Sequence, residues 1–294
     1  MDLEGTIIRG YSGFYYVWDG ATLWECKLRG RYKISENTFL PGDKVRFKIL
    51  DAPSAKAVIE FAYPRKNELI RPSICNVDQA LIVMAIKDPE ADLWLVDRLL
   101  INLLFNNIEP IICFSKADLV SLDSSREIYN EYRDSGFPRY IISTVDHRGF
   151  DQLRQLLKGK ISVFSGPSGV GKSSIINIIE PALQRKTGEI SLRSSRGKHT
   201  TRSVELLPLS TGGYVADTPG FSQMHLPDIK KERLAGYYKE FDSYAPFCKF
   251  SSCLHRDEPQ CAVRDAVDSG MISSKRYRNY LLLLKEIIEK KRRY

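Results

Sequence analysis

The segment GPSGVGKS, Gly166 to Ser173, fits GxxxxGK[ST] in full, a pattern that builds a phosphate cradle. Glycines let successive backbone N–H groups turn toward one anion, and the first turn of a following helix adds partial positive charge. Gly166, Pro167, Ser168, Gly169, Val170 and Gly171 supply the wrapping backbone, with Ser173 and Ser174 at the helix start. Lys172 reaches the β- and γ-phosphates and is the first catalytic candidate, while the Ser173 hydroxyl is the expected Mg2+ ligand. The flanks agree. Ile161 to Phe164 is an apolar run of the kind that forms a buried parallel strand, and Ile175, Ile176, Ile178 and Ile179 give the next segment an apolar helical face.

A cradle of this kind needs a carboxylate and a sensor of the γ-phosphate. Gly212 to Ala216 reads as a strand running into Asp217, Thr218, Pro219 and Gly220, which puts Asp217 at a strand end as a magnesium ligand, direct or through water. The Gly220 N–H is placed to donate to the γ-phosphate, and glycine can reorient when that phosphate leaves. Between the two lies GKHTTR, Gly197 to Arg202, in a stretch rich in Ser, Arg and Lys. Thr200 or Thr201 completes the magnesium shell in the triphosphate state, and spacing leaves both open. A solvated basic loop is the plainer reading, compatible with the first because switch loops are ordered by their ligand.

The base is read elsewhere. Ile111 to Phe114 is an apolar strand ending at Ser115, Lys116, Ala117 and Asp118, an xKxD segment. A carboxylate only accepts, so Asp118 pairs with the N1–H and 2-amine of guanine and rejects adenine, which offers neither. The Lys116 stem lies over the base plane. Ser115 stands where Asn is usual, which removes an amide contact. Tyr140 to Ile142 is a further strand leading to Ser143 and Thr144, where a second base-contacting loop is expected.

These loops come before the phosphate loop, whereas most GTPases have them after it. The order therefore reads as a circular permutation, which a doubly wound sheet tolerates because chain ends lie at the surface and often close together. The cut also runs the Gly220 segment within a few residues into the C-terminal part, giving it a short lever there.

Cys248, Cys253, His255 and Cys261 have the spacing C-x4-C-x-H-x5-C. Three thiolates and an imidazole fill a tetrahedral Zn2+ site and leave no open position, so the zinc is structural. Cys26, Cys75 and Cys113 are scattered in apolar surroundings and read as inert.

The elements that must position these groups follow from the pattern. Short strands at Gly5–Arg9, Phe14–Trp18, Ala21–Arg29, Lys44–Leu50 and Lys56–Tyr63 suit a small OB-type barrel, an oligonucleotide-binding fold. Tyr11, Tyr15, Trp18, Trp24 and Tyr32 alternate with Lys27, Arg29, Arg31 and Lys33, and about half of these aromatics are expected in the core. From Asn67 to Phe221 strands and helices alternate, including Val77–Ile86, Leu93–Leu104, a helix opened by a capping box at Ser124 and Glu127, and Phe150–Leu157. From Leu226 the chain reads as helical with the zinc loop inserted. Its last segment sets Tyr280, Leu281, Leu284, Ile287 and Ile288 against Lys275, Arg276, Arg278 and Lys285, which suits either docking on phosphates or a packed helix with a basic end.

The chain has 294 residues, 43% of them hydrophobic, enough for two or three domains. A formal charge of +8 permits a nucleic-acid partner without requiring one. No run approaches the roughly 18–20 apolar residues of a membrane span, and Met1 to Glu4 lacks the features of a leader, so a cytoplasmic protein is expected.

Taken with Arg71-Pro72, Asn76 to Gln79, the GPSGVGKSS loop, GKHTT, DTPGF and CKFSSCLHRDEPQCAV, the permuted order resembles the bacterial ribosome small-subunit-dependent GTPases over nearly the whole chain. The resemblance implies an OB-fold domain (1–66), a circularly permuted P-loop α/β GTPase domain (67–223) and a helical zinc-binding domain (224–294). It also implies a monomer that hydrolyses GTP to GDP with Mg2+, binds the 30S subunit and its 16S rRNA late in assembly, and is stimulated by that subunit. Phe221 stands where many GTPases carry a water-orienting glutamine, which leaves His199, an rRNA group or backbone to place the water. Two other readings stay open: an RNA-binding assembly protein with a structural, non-hydrolysed nucleotide, and a GTPase acting on complete ribosomes.

Overall fold

The computed structural model describes residues 2–11, 13–29, 39–70, 72–181, 204–217 and 226–292. The N-terminal strands alternate inward and outward side chains, and this closes them into a barrel. Strands β1 (Asp2–Tyr11), β2 (Phe14–Trp18), β3 (Leu23–Leu28), β4 (Lys44–Asp51) and β5 (Lys56–Ala62) pair in the order β1-β2-β3-β5-β4, with β4 returning to β1. Strands β3 and β5 run parallel and the other pairs antiparallel, the OB-type arrangement that the sequence predicts. In β4, Val45 and Phe47 point inward while Lys44, Arg46 and Lys48 are exposed. A register shift in β1 between Ile7 and Arg9 supplies extra twist.

The expected stacking aromatics divide. Trp24 is core, its Nε1–H donating to Asp19 at 2.7 Å, and Tyr15 packs against that core. Trp18 is half-buried, Tyr11 is exposed, and Tyr32, with Arg31 and Lys33, lies outside the described residues.

A short hairpin, β6 (Glu68–Leu69) with β7 (Ile74–Cys75), follows the barrel. The alternating region then runs β8 (Gln79–Ala85), α1 (Leu93–Phe105), β9 (Glu109–Ser115), α2 (Leu122–Asn130), β10 (Arg139–Ile141), α3 (Phe150–Leu157), β11 (Ile161–Ser165), α4 (Lys172–Ile179), β12 (Glu205–Pro208) and β13 (Tyr214–Asp217). Its sheet has the order β10-β9-β8-β11-β13-β12. Strands β8 and β11 are buried throughout, as continuous apolar strands covered on both faces must be.

Two local expectations need correction. Helix α2 starts earlier than the capping box suggests: Ser121 is the cap, accepting from Ser124 N at 3.2 Å, and Ser124 already sits in the first turn. Edge strand β12, antiparallel to β13, has no counterpart in the sequence reading, because four residues ending in Pro208 show too little alternation.

The C-terminal part is less α-helical than expected. Residues Lys231–Tyr237, Lys239–Phe241 and Ala245–Phe247 form 3-10 turns, and among the described residues of this part α-helix appears in α5 (Ala262–Asp268) and α6 (Ser274–Arg292). Gly236 and Pro246 explain this, since both disfavour a continuous α-helical ladder. In α6, Tyr280, Leu284 and Ile287 are buried, with Leu281 and Ile288 packed beside them, so the apolar stripe is core. Arg276 is not a surface cation: its guanidinium is fully buried against Asp97 and Glu240.

The chain groups into two compact units, residues 1–80, 150–164 and 173–221 in one, and 81–149, 165–172 and 222–294 in the other. In the first, Arg9 on β1 pairs with Glu205 on β12 at 3.0 Å. In the second, a single core runs from Ile101 on α1 through Leu234, Tyr238 and Phe241 to Tyr280 and Leu283 on α6.

Candidate nucleotide site and metal centre

Strand β11 delivers the chain into the phosphate loop, and three glycines shape it. Gly166, Gly169 and Gly171 have φ of +132°, +80° and +95°, a region that side chains avoid. At Gly166 space is decisive as well: a Cβ would lie 2.1 Å from the Val83 carbonyl oxygen. Helix α4 opens at Lys172, whose Nζ donates to the carbonyls of Gly166 at 2.8 Å and Pro167 at 2.6 Å. The ammonium thus already lies across the mouth of the loop. Burial lowers its pKa from the ordinary lysine value, a cost that an anion in the cradle offsets. Ser168, Ser173 and Ser174 are exposed.

The xKxD segment leaves β9 and turns sharply. Lys116 adopts a left-handed conformation, φ +57°, and its Nζ donates to the Asp88 carbonyl. A 3-10 turn over Ala117–Leu119 then holds Asp118 outward, where it is exposed. The second base loop fixes the direction of that carboxylate. Ser143 is buried, donates its hydroxyl proton to Asp118 Oδ1 at 2.8 Å, and accepts from Val145 N and Asp146 N at 3.2 and 3.3 Å. With both lone pairs used, the hydroxyl can only donate to Asp118, which leaves Oδ2 to accept from a base. Ala117 N bonds Ile142 O at 3.2 Å and joins the two loops. Ser143 therefore supports the Asp118 carboxylate, a contact that sequence spacing does not specify.

Ser115 also lies elsewhere than a base contact requires. It is 2% exposed, and its hydroxyl donates to Val170 O at 2.6 Å, with Met84 O at 3.2 Å.

Strand β13 runs parallel to β11 with Val163 opposite Ala216, so Asp217 is the residue beside the exit of β11 toward the phosphate loop. Its side chain, and His199, Thr200, Thr201 and Gly220, lie outside the described residues.

The four expected zinc ligands converge. Their ligand atoms lie within 4.8 Å of one another. Cys248 Sγ and Cys261 Sγ are 3.8 Å apart, and each is 3.5 Å from His255 Nδ1. A tetrahedral ion with Zn–S about 2.3 Å and Zn–N about 2.05 Å has edges of about 3.8 and about 3.5 Å, so the donor set fits zinc, with Nδ1 as the imidazole ligand. Burial pushes the Cys253 thiol up to about 12, raises Cys261 as well, and lowers His255. Binding of a dication must therefore release thiol protons. The loop is held from outside: Tyr277 and Tyr280 on α6 donate to the carbonyls of His255 and Leu254 at 2.8 and 2.7 Å.

A glycine-rich phosphate-loop motif, an xKxD segment earlier in the chain, an OB-type barrel and a Cys3His module define a circularly permuted GTPase of the multidomain kind. Comparison with known proteins supports this class and narrows it. The model for the RsgA GTPase matches residues 62–227 and that for the RsgA N-terminal domain residues 4–57, and the chain belongs to the RsgA GTPase family. The small ribosomal subunit biogenesis GTPase RsgA of Moorella thermoacetica is 45% identical over 99% of this chain and 100% of the relative. Its namesake in Bacillus anthracis is 44% identical over 99% of both. Among solved structures, YjeQ from Thermotoga maritima superposes with a TM-score of 0.80 at 33% identity, covering 98% of this chain and 99% of that one. YloQ, a circularly permuted GTPase, gives 0.82 at 36% identity, covering 100% and 98%.

Proposed function

We propose that this protein hydrolyses GTP to GDP and phosphate with Mg2+ and uses that step in late maturation of the 30S ribosomal subunit. The observation that carries this is the pairing, in one compact unit, of the phosphate loop with an outward Asp118 carboxylate whose direction Ser143 fixes. Near-full-length likeness to GTPases named for small-subunit biogenesis supports the partner.

In this reading Asp118 takes the N1–H and 2-amine of guanine, Lys116 covers the base, and the Thr144 region completes the base pocket. Lys172 and the loop N–H groups hold the β- and γ-phosphates. Ser173, Asp217 and Thr200 or Thr201 would hold Mg2+, which would supply charge neutralisation for the transferring phosphoryl group. His199 places the attacking water, and Gly220 senses the γ-phosphate. Cys248, Cys253, His255 and Cys261 hold a structural Zn2+. The modules are 1–66, 67–223 and 224–294, the barrel and the C-terminal module contact 16S rRNA, and the protein acts as a cytoplasmic monomer. Among the described residues no helix is long and apolar enough to cross a membrane.

Turnover of GTP and ATP, each with and without purified 30S subunits and with 70S ribosomes, tests this reading. GTP hydrolysis raised by 30S alone is expected. Equal use of ATP, or stimulation by 70S in place of 30S, would overturn it.

A further inference from the structure

A cleft of about 410 Å3 lies where several barrel strands begin or end, and neither the nucleotide site nor the metal centre uses it. Its volume is in the range of small-ligand sites. Glu4 on β1, Trp18 at the end of β2, Asp19 in the following turn, Lys44 at the start of β4 and Tyr63 just after β5 line it. Tyr214, which opens β13, lines it as well. The barrel and β13 belong to one compact unit, so these residues are carried by a single body.

The charge of the lining runs against that of the chain. Two carboxylates stand against one ammonium, in a protein whose formal charge is +8. Asp19 is kept ionised by its own turn. Burial alone would raise its pKa, but Thr22 N at 2.7 Å, Trp24 Nε1 at 2.7 Å and Ala21 N at 2.8 Å donate to it and hold the carboxyl below its ordinary value. With three donors in place, Asp19 acts mainly through its charge. Glu4 is different. It is exposed, and Tyr63 donates its hydroxyl proton to Oε1, which aims the carboxylate. Among the described residues nothing donates to Glu4 Oε2.

Trp18, Tyr63 and Tyr214 add three partly buried aromatic rings. The negative faces of such rings attract cations. A planar guanidinium suits them best, because it stacks flat and can also donate two parallel N–H groups to one carboxylate. A phosphate would meet two carboxylates here, and an apolar side chain would take water from Glu4 and return no bond.

We propose that this cleft binds an arginine side chain presented by a basic segment of a partner protein: the guanidinium bonds Glu4 and stacks on the aromatic rings, and Asp19 adds attraction. This binding does not depend on GTP hydrolysis.

The test is titration of the full chain with two capped peptides that differ only in carrying arginine or citrulline, its neutral isostere, between serine and glycine residues. The readout is the NMR signal of the Trp18 indole N–H, assigned by its loss in Trp18→Phe. Salt at about 0.15 M screens diffuse attraction. The arginine peptide is expected to shift this signal saturably, and the citrulline peptide to bind about ten-fold more weakly or worse, as loss of a charge-assisted bond requires. Glu4→Gln keeps the size and an acceptor for Tyr63, and is expected to bring the arginine peptide down to the citrulline level. Asp2→Asn removes another exposed carboxylate of β1 and is expected to change nothing. Thermal melts check that each variant folds, and the comparison of the two peptides on the parent needs no variant. Equal binding of the two peptides, or no shift of Trp18 with either, would overturn the proposal. So would an equal loss in Asp2→Asn, because the attraction would then be diffuse. An oligouridylate that occupied the cleft more tightly than the arginine peptide would overturn it too, because the surface would then be an RNA site.

Discussion

At the scale of single residues, the account turns on groups whose direction is set by something other than the ligand. Lys172 lies across its loop before any phosphate is considered, held by two carbonyls. On the proposed reading, replacing it removes a charge that meets the transferring phosphoryl group. Lys172→Ala should lower GTP turnover by about 10²-fold or more, with the melting temperature near the parent's, because only loop carbonyls are released. Unchanged turnover would remove the enzymatic claim. Gly166 makes a contrasting case. Alanine there meets the Val83 carbonyl and an unfavourable φ together, so Gly166→Ala should lose both nucleotide affinity and about 1–3 kcal/mol of stability, read by urea unfolding. The glycine-rich loop and the Cys3His cluster were legible as residue types at fixed spacing. The contacts of Ser143 and Ser115 were not, because each depends on a partner 25 or 55 positions away, and no local pattern encodes that distance.

At the scale of elements, the metal loop shows how a short irregular segment is held. Glu258 accepts from Leu254 N and Arg256 N at 2.9 Å and from Asp257 N at 3.2 Å, closing the turn between His255 and Cys261. Burial alone would raise its pKa, but these N–H groups outweigh that and hold the carboxyl at about 2. The sign follows. A depressed folded value means that the contribution is complete above the ordinary carboxylate range and is lost as pH falls toward about 2. Glu258→Gln should therefore speed zinc release to a chelator at pH 7, and the difference from the parent should shrink on acidification below pH 4. A gap that widens in acid would contradict this. Strong patterns gave the elements well: α1 and α3 were expected at Leu93–Leu104 and Phe150–Leu157 and are found at Leu93–Phe105 and Phe150–Leu157. Weak patterns did not. Gly236 and Pro246 break the α-helical ladder over Lys231–Phe247, but the packing of Leu234, Tyr238 and Phe241 of these 3-10 turns into one core belongs to the tertiary structure.

At the scale of the whole molecule, the sequence suggested that the C-terminal part answers to the Gly220 segment through a short connection. The structure reveals a second attachment, made through α1. Arg276 on α6 bonds Asp97 on α1 and Glu240, lies 4.7 and 4.9 Å from the rings of Tyr132 and Tyr238, and leaves Asp97 Oδ2 to accept from Asn279 at 2.7 Å. Arg98 pairs with Glu286 at 2.6 Å alongside. A guanidinium can satisfy two carboxylates in one plane, and removing it strands both without water. Arg276→Met should cost about 3–5 kcal/mol by urea unfolding, whereas Lys275→Met, whose ammonium is solvent-exposed where it pairs with Glu131, should cost under about 1 kcal/mol. Comparable losses would mean that the buried network contributes nothing particular. This attachment was hidden in the sequence because a basic residue on an amphipathic helix reads as surface, and only the facing carboxylates make it core.

The central claim is that a carboxylate ahead of the phosphate loop reads guanine. Asp118→Asn tests it most directly. The carboxamide keeps the size and the bond from Ser143 but can also donate, which suits the 2-oxo group of xanthine and not the 2-amine of guanine. Binding of GDP and xanthosine diphosphate should be measured on parent and variant by titration calorimetry. The account predicts a loss of GDP affinity of about 10²-fold or more with a gain for xanthosine diphosphate. Undiminished GDP affinity in Asp118→Asn, with no gain for xanthosine diphosphate, would contradict it.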